Sequence, residues 1–201
     1  MPWYTEGMSL VRPITRFDIK GPAMYAHIRD DYRHRVIALK KDRRVVIGPT
    51  LELVFDNRLT LTMQVEEICR LENLVRDDQI EEEIRITNEL MPTDTTLAAT
   101  LFVPLPQDEH LKARLAELVG IDEHVVLHLG SLAIRAAFEP GRSTEEKISA
   151  VQYMWFPLTA EAHKLLATPG TKLAVELDHP TYKYRVECPE AVRASLAADY
   201  V

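Results

Sequence analysis

The sequence has little cysteine and no long apolar run. Both shortages limit the classes of protein to which it can belong. Only two cysteines, Cys69 and Cys188, occur in 201 residues. Two distant cysteines do not make a disulfide framework, so a reducing compartment is the simpler interpretation. No stretch reaches the roughly 20 apolar residues that a transmembrane helix needs. The N-terminus also lacks the basic segment followed by an apolar segment that is typical of a signal peptide. We therefore expect a soluble, cytoplasmic protein that does not contact the membrane.

Common catalytic signatures are missing as well. The sequence contains no G-x-G-x-x-G or Walker loop for nucleotides, no H-E-x-x-H zinc motif and no G-x-S-x-G nucleophile elbow. The net charge of −7 makes nucleic-acid binding an unfavoured function, since that function needs a surplus of lysine and arginine. The sequence alone names no reaction, no catalytic residue and no cofactor.

Helices and strands are predicted to come in clusters rather than in strict alternation. The predicted helices cover 22–41, 64–74, 77–91, 108–119, 159–167 and a segment after Pro189. The predicted strands cover 45–47, 51–55, 59–63, 97–103, 125–129, 132–138, 149–156, 172–177 and 182–187. Clustering favours an α+β fold of mostly antiparallel short strands with several packed helices, not a doubly wound sheet. We expect one domain over 1–201, with 91–96 as the place where a sub-division would fall.

Basic residues are concentrated in the first long helix and the loop that follows it. In a protein of net charge −7 this is a local asymmetry of charge. Such a cluster can hold a phosphate, an acidic cofactor or an acidic partner surface. The alternative is a solvated helix face, because runs of charge usually serve solubility. The candidate anion- or partner-binding residues are Arg33, Arg35, Lys40, Lys41, Arg43 and Arg44.

The helix predicted over 64–74 carries carboxylates within a wide apolar arc. Glu67 and Glu72 fall inside this arc, whereas Glu66 falls outside it, and Glu83 falls within the apolar stripe of the next helix. A carboxylate buried there must be paired, protonated or bound to a metal. The Glu-x-x-His pattern of di-metal bundles is absent, so no metal ligand is assigned. The candidate polar cluster consists of Gln64, Glu67, Arg70, Glu72 and Glu83.

The strand predicted over 149–156 carries aromatic residues on both faces. Tyr153, Trp155 and Phe156 favour a central strand or an interface. Lining of a small-ligand pocket is the alternative. An exposed aromatic face would make a homodimer plausible.

Seven stretches of the sequence carry a family resemblance that covers the chain from about residue 15 to 160. They are Asp18-Ile19, RHRVIALKKDRRVVIGP (33–49), FDN (55–57), QVEEICRLE (64–72), NELMP (88–92), LAATLF (97–102) and GRSTEEKISAVQY (141–153). Together they resemble the uncharacterised bacterial domain-of-unknown-function family 3501.

The resemblance implies a role beside redox enzymes. Members look like companions of rubrerythrin-like and iron–sulfur oxidoreductase proteins in bacterial gene neighbourhoods. Two cysteines are too few to hold an iron–sulfur cluster, so any cluster would belong to the partner. The leading hypothesis is a non-catalytic accessory or interaction protein of a redox or peroxide-stress system. The alternative is a metal-binding protein or enzyme that uses the buried carboxylates of the second and third helices.

Overall fold

A computed structural model describes residues 11–103, 115–141 and 148–200. The α-helices of these residues are α1 (Gly21–Lys41), α2 (Arg58–Leu71), α3 (Asp77–Asn88), α4 (Ala160–Ala167) and α5 (Glu190–Ala197). Short 3₁₀ helices are η1 (Arg16–Asp18), η2 (Ile121–Glu123) and η3 (Ala198–Tyr200). The predicted helix over 108–119 lies largely outside the described residues.

The strands form two antiparallel sheets. They are β1 (Arg44–Ile47), β2 (Leu51–Asp56), β3 (Thr96–Phe102), β4 (Val125–Leu129), β5 (Leu132–Arg135), β6 (Ala137–Phe138), β7 (Val151–Pro157), β8 (Leu173–His179) and β9 (Tyr182–Glu187). The first sheet has the order β1-β2-β3-β7-β6 and the second the order β5-β4-β8-β9, with each neighbouring pair antiparallel. This confirms the predicted α+β class and the absence of a doubly wound sheet.

The main core lies between the two sheets, and side-chain alternation along β7 shows how it is built. Met154 and Phe156 point into this core together with inward residues of β2, β3, β4 and β8. The alternate residues Tyr153 and Trp155 pack instead against the helices on the other face of the first sheet. The core also draws on residues from both sides of 91–96, and the sub-division there stays a prediction.

A helical layer covers the outer face of the first sheet. Helices α2 and α3 form a second apolar cluster against β7, and α1 packs on α2 as the outermost element. The line that α1 buries runs through Tyr25, Tyr32 and Val36. Met24 lies to one side of this line and is 59% exposed.

The segment after β2 is helical, although its apolar and threonine-rich residues were predicted to form a strand over 59–63. Asn57 caps α2, because its side-chain oxygen accepts the backbone N–H groups of Leu59 at 3.1 Å and Thr60 at 3.2 Å. In return, the Thr60 hydroxyl accepts the Asn57 backbone N–H at 3.0 Å. This reciprocal cap begins the helix at Arg58 and outweighs the local preference for a strand.

Candidate functional site

Glu67 of α2 is the centre of an ion-pair cluster that joins α2 to α1. Its carboxylate accepts the Tyr25 hydroxyl at 2.8 Å and the Arg29 Nε–H at 2.7 Å, both from α1. Arg70, one turn later on α2, donates at 2.9 Å. Burial raises the pKa of Glu67, but the hydrogen bonds from Arg29, Tyr25 and Arg70 outweigh it and bring that pKa down to about 2. The structure thus joins the predicted residues Glu67 and Arg70, and arginine satisfies the carboxylate.

The other predicted members of the polar cluster do not share an interior with Glu67. Glu72 caps the C-terminus of α2 and is exposed, and its neighbour Leu71 is 70% exposed. Placing Glu72 in the apolar arc was wrong because α2 ends at Leu71 instead of continuing to 74. Gln64 and Glu83 are half-buried, and Thr87 donates to Glu83 at 3.3 Å. Within the described ranges, no three histidine, cysteine or acidic residues are arranged to hold a metal ion.

Glu66 is the buried carboxylate of α2, although the helical wheel placed it outside the apolar arc. It is 1% exposed and accepts the backbone N–H groups of Lys20 at 2.5 Å and Gly21 at 3.2 Å, where α1 begins. Burial raises its pKa, and those two hydrogen bonds oppose the rise. A signal for its burial is its spacing of four from Thr62 and three from Cys69, which are both buried.

A cavity of about 260 Å³ opens between η1, α1 and α2. Phe17 lines it from η1 and is 92% exposed, an unusual state for a phenylalanine. The remaining uncharged lining residues come from the facing sides of α1 and α2: Ile28, Tyr32, Leu59 and Thr62. Sequence reasoning missed this cavity, because it depends on how η1 and the two helices pack.

The two arginines that line the cavity, Arg58 and Arg35, differ in whether they have an ionic partner among the described residues. Arg58 donates to Asp18 at 2.5 Å. Burial raises the pKa of Asp18, but hydrogen bonds from Thr15 and Arg58 outweigh it and lower that pKa overall. Arg35 stacks over Tyr32, with its guanidinium carbon 5.5 Å from the ring centroid, and makes no ion pair with any residue in the described part of the chain. Positive charge is therefore in excess around Arg35.

Arg43 was predicted to belong to the basic surface, and this was wrong. It is fully buried and forms an ion pair with Asp199 of η3. Its Nη1 donates to Asp199 Oδ1 at 3.1 Å, and its Nε donates to the Phe55 carbonyl at 2.9 Å. The Asn57 amide donates to the same carboxylate at 2.8 Å. Arg43 therefore ties the C-terminal segment to the first sheet.

The other members of the predicted basic set remain accessible. Arg44 is exposed and pairs with Glu52 at 3.2 Å, while Lys40 is half-buried. Arg33, Arg35 and Lys41 are exposed. Among them, Arg33 and Lys41 lie four residues before and after Ile37, which is 44% exposed, so the three share one helix face. We call Arg33, Ile37 and Lys41 the outer stripe of α1.

Both cysteine thiols are held in their protonated form. Burial raises the pKa of Cys69 to about 11, with the nearby Glu66 and Glu83 carboxylates adding to the rise. Burial also raises the pKa of Cys188 to about 11, although it lies just before the N-terminus of α5. A reactive thiol needs a lowered pKa, so neither environment activates its cysteine.

The aromatic residues of β7 are buried or half-buried. Phe156 is fully buried, and Tyr153 and Trp155 pack against the α2–α3 cluster. The exposed aromatic face that motivated a homodimer is thus absent from β7, and a homodimer stays a prediction. In the described parts of the chain, no helix has the length and apolar character to cross a membrane.

Comparisons with known proteins place the chain beside proteins whose function is also open. A family model described as "Protein of unknown function (DUF3501)" matches residues 13–200. A crystal structure of a novel protein of unknown function from Burkholderia pseudomallei K96243, at 1.90 Å resolution, is similar, with 32% sequence identity and a TM-score of 0.87. The match covers 94% of this chain and 100% of that chain. Among curated proteins, none matches.

Proposed function

Because this chain belongs to the DUF3501 family of proteins of unknown function, we propose that it is a non-catalytic interaction protein that binds an acidic partner surface. The contact is the outer stripe of α1, defined above as Arg33, Ile37 and Lys41. The observation that carries the proposal is that both charges of this stripe are exposed and make no ion pair with any residue that the structure describes.

The composition of the outer stripe suits a protein interface. An apolar centre flanked by cations combines the desolvated core and polar rim of typical interfaces. In a chain of net charge −7, a basic helix face also orients the molecule toward acidic partners during encounter. Ile37, which is 44% exposed between the two charges, is the apolar surface that a partner would cover.

The partner that we propose is a cytoplasmic redox protein of the rubrerythrin-like or iron–sulfur oxidoreductase class. This part of the proposal rests on the family resemblance. The thiols of this chain support a division of labour, since burial raises the pKa of both Cys69 and Cys188 to about 11. Redox chemistry would then reside in the partner, and this protein would contribute recognition.

Charge reversal with a matched control tests the proposal. The test variant is R33E/K41E, and the control K164E/K172E replaces two exposed lysines outside α1, so that both variants gain the same negative charge. Binding to a purified rubrerythrin-like protein and an iron–sulfur oxidoreductase of the same organism is measured by biolayer interferometry. We expect R33E/K41E to weaken binding at least about tenfold, which two lost interface charges can account for, and K164E/K172E to bind like the wild type.

Two results would count against this function. If neither purified protein binds the wild type at micromolar concentration, the redox partner is wrong. If both double variants weaken binding equally, general charge rather than the outer stripe is responsible.

A further inference from the structure

We propose that the cavity between η1, α1 and α2 binds a small organic acid, with its carboxylate on the Arg35 guanidinium and its apolar part against Ile28 and Leu59. This site goes beyond the proposed docking function. Arg35 follows Arg33 by two residues, which places it about 200° further around the helix. It therefore lines the cavity, while Arg33 lies on the outer stripe.

The balance of charge selects an anion as the ligand. Asp18 is already neutralised by Arg58 at 2.5 Å. Glu66 is satisfied by the backbone N–H groups of Lys20 and Gly21, and its burial disfavours the ionised form. Arg35 then remains as a cation of this lining without an ionic partner among the described residues. A ligand that carries a negative charge completes this arrangement.

The geometry of Arg35 suits a carboxylate in particular. Its guanidinium stacks over the Tyr32 ring at 5.5 Å, which orients the planar fork that pairs with two carboxylate oxygens. Tyr32 offers a second donor, because its hydroxyl makes only a long contact of 3.4 Å to the Leu59 carbonyl. Burial raises the pKa of Tyr32, so this hydroxyl keeps its proton and can donate.

The apolar lining and the size of the cavity define the rest of the ligand. Phe17, Ile28 and Leu59 provide apolar surface beside the charged groups, and binding would cover a phenylalanine that is 92% exposed. A volume of about 260 Å³ lies just below the usual range of ligand pockets. It favours an acid with one small apolar group over a nucleotide or a longer chain.

Titration of the full chain with benzoate, followed by ¹H–¹⁵N NMR, tests the site. We expect saturable shifts at the Arg35 Nε–H and at the backbone amides of Ile28 and Leu59. Benzamide keeps the ring without the charge, and acetate keeps the charge with only a methyl group. Each is expected to bind at least about tenfold more weakly than benzoate, because each loses one of the two contacts.

Matched variants on one helix locate the anion contact. R35Q is expected to raise the Kd for benzoate by roughly tenfold or more, since a charged hydrogen bond is lost, whereas R33Q leaves it unchanged. F17A is expected to weaken binding several-fold while Arg35 is intact. Both Arg35 and Phe17 are exposed, so R35Q and F17A are expected to keep the wild-type circular dichroism spectrum.

The proposal is overturned if no resonance saturates up to about 10 mM benzoate, a concentration tenfold above a millimolar Kd, or if R33Q weakens binding as much as R35Q. Shifts of the same resonances by inorganic phosphate at lower concentration than benzoate would also overturn it, since they would show an oxyanion site without an apolar part. The outcome is separable from the docking function: R33E/K41E is expected to keep benzoate binding, and R35Q is expected to keep partner binding.

Discussion

Glu66 and Glu67 are consecutive residues of α2, and their carboxyl groups have pKa values shifted in opposite directions. Successive residues of a helix lie 100° apart, so the two side chains meet different surroundings. Glu66 is buried below the start of α1, where the backbone N–H groups of Lys20 and Gly21 donate to it. Glu67 faces two arginines and a tyrosine hydroxyl. The groups that each side chain meets, from the start of α1 for Glu66 and from α1 together with Arg70 for Glu67, therefore decide the direction of each pKa shift.

Replacing Glu67 by glutamine is expected to destabilise the fold at neutral pH. A pKa lowered from 4.5 to about 2 in the folded state stabilises the protein above pH 4.5. This stabilisation is lost as the pH falls toward 2, where the folded carboxylate takes up its proton. We expect E67Q to cost about 1–2 kcal/mol at pH 7, since solvent screens part of the interaction. Urea unfolding at pH 7 and pH 3 measures the cost and its decrease.

The control for this change is E82Q, which alters an exposed glutamate paired with Arg85 on α3. Exposed ion pairs contribute little to the free energy of unfolding, so E82Q is expected to leave the unfolding midpoint almost unchanged. A cost of E67Q that is the same at pH 3 as at pH 7 would contradict the role assigned to the Glu67 charge.

Replacing Glu66 by glutamine is expected to have the opposite dependence on pH. Because burial raises the pKa of Glu66 in the folded state, the wild type loses stability as the pH rises from about 4.5 through that raised pKa. A glutamine does not titrate, so E66Q lacks this loss. Thermal unfolding of both proteins at pH 4, 5.5 and 7 is expected to show the wild type falling relative to E66Q as the pH increases. A difference that stays constant would argue that Glu66 has an ordinary pKa.

Removing the partner of Arg43 is expected to cost more than a surface change. D199N leaves a guanidinium that is fully buried without its carboxylate. Breaking one side of a buried ion pair costs about 3–5 kcal/mol, which urea unfolding at pH 7 resolves. The control is R44Q, at the exposed neighbour of Arg43. If D199N cost no more than R44Q, the C-terminal segment would not be held by this pair.

Local sequence signals predicted much of the fold. The helix predicted over 22–41 matches α1 to within one residue at each end. The strands predicted over 172–177 and 182–187 match the antiparallel pair β8 and β9, although pairing continues to His179 and leaves only Pro180 and Thr181 in the turn. The run Leu59–Met63 was assigned to a strand because its apolar residues outweighed Asn57, whose side chain caps the helix. That error began α2 six residues too late, at 64 instead of Arg58, and the prediction also extended the helix to 74, past its observed end at Leu71.

Contacts between distant parts of the chain explain what the sequence could not show. Arg70 lies three residues from Glu67 on one helix, so their pairing is visible in the sequence. Arg43 and Asp199 are 156 residues apart, and a basic run on its own gives no sign that one of its members is buried. Likewise, the partners of Glu66 are backbone groups 45 and 46 residues away, which no helical wheel of α2 contains.

The central claim is that the outer stripe of α1 recognises an acidic surface. The dependence of partner binding on salt concentration tests this claim most directly. The Kd of the wild type and of R33E/K41E for the purified redox partner is measured between about 50 and 300 mM NaCl, where screening becomes strong. The wild type is expected to lose affinity steeply as salt increases, and R33E/K41E to bind weakly with little or reversed dependence on salt. Equal slopes for the two proteins would contradict the claim that Arg33 and Lys41 contact the partner.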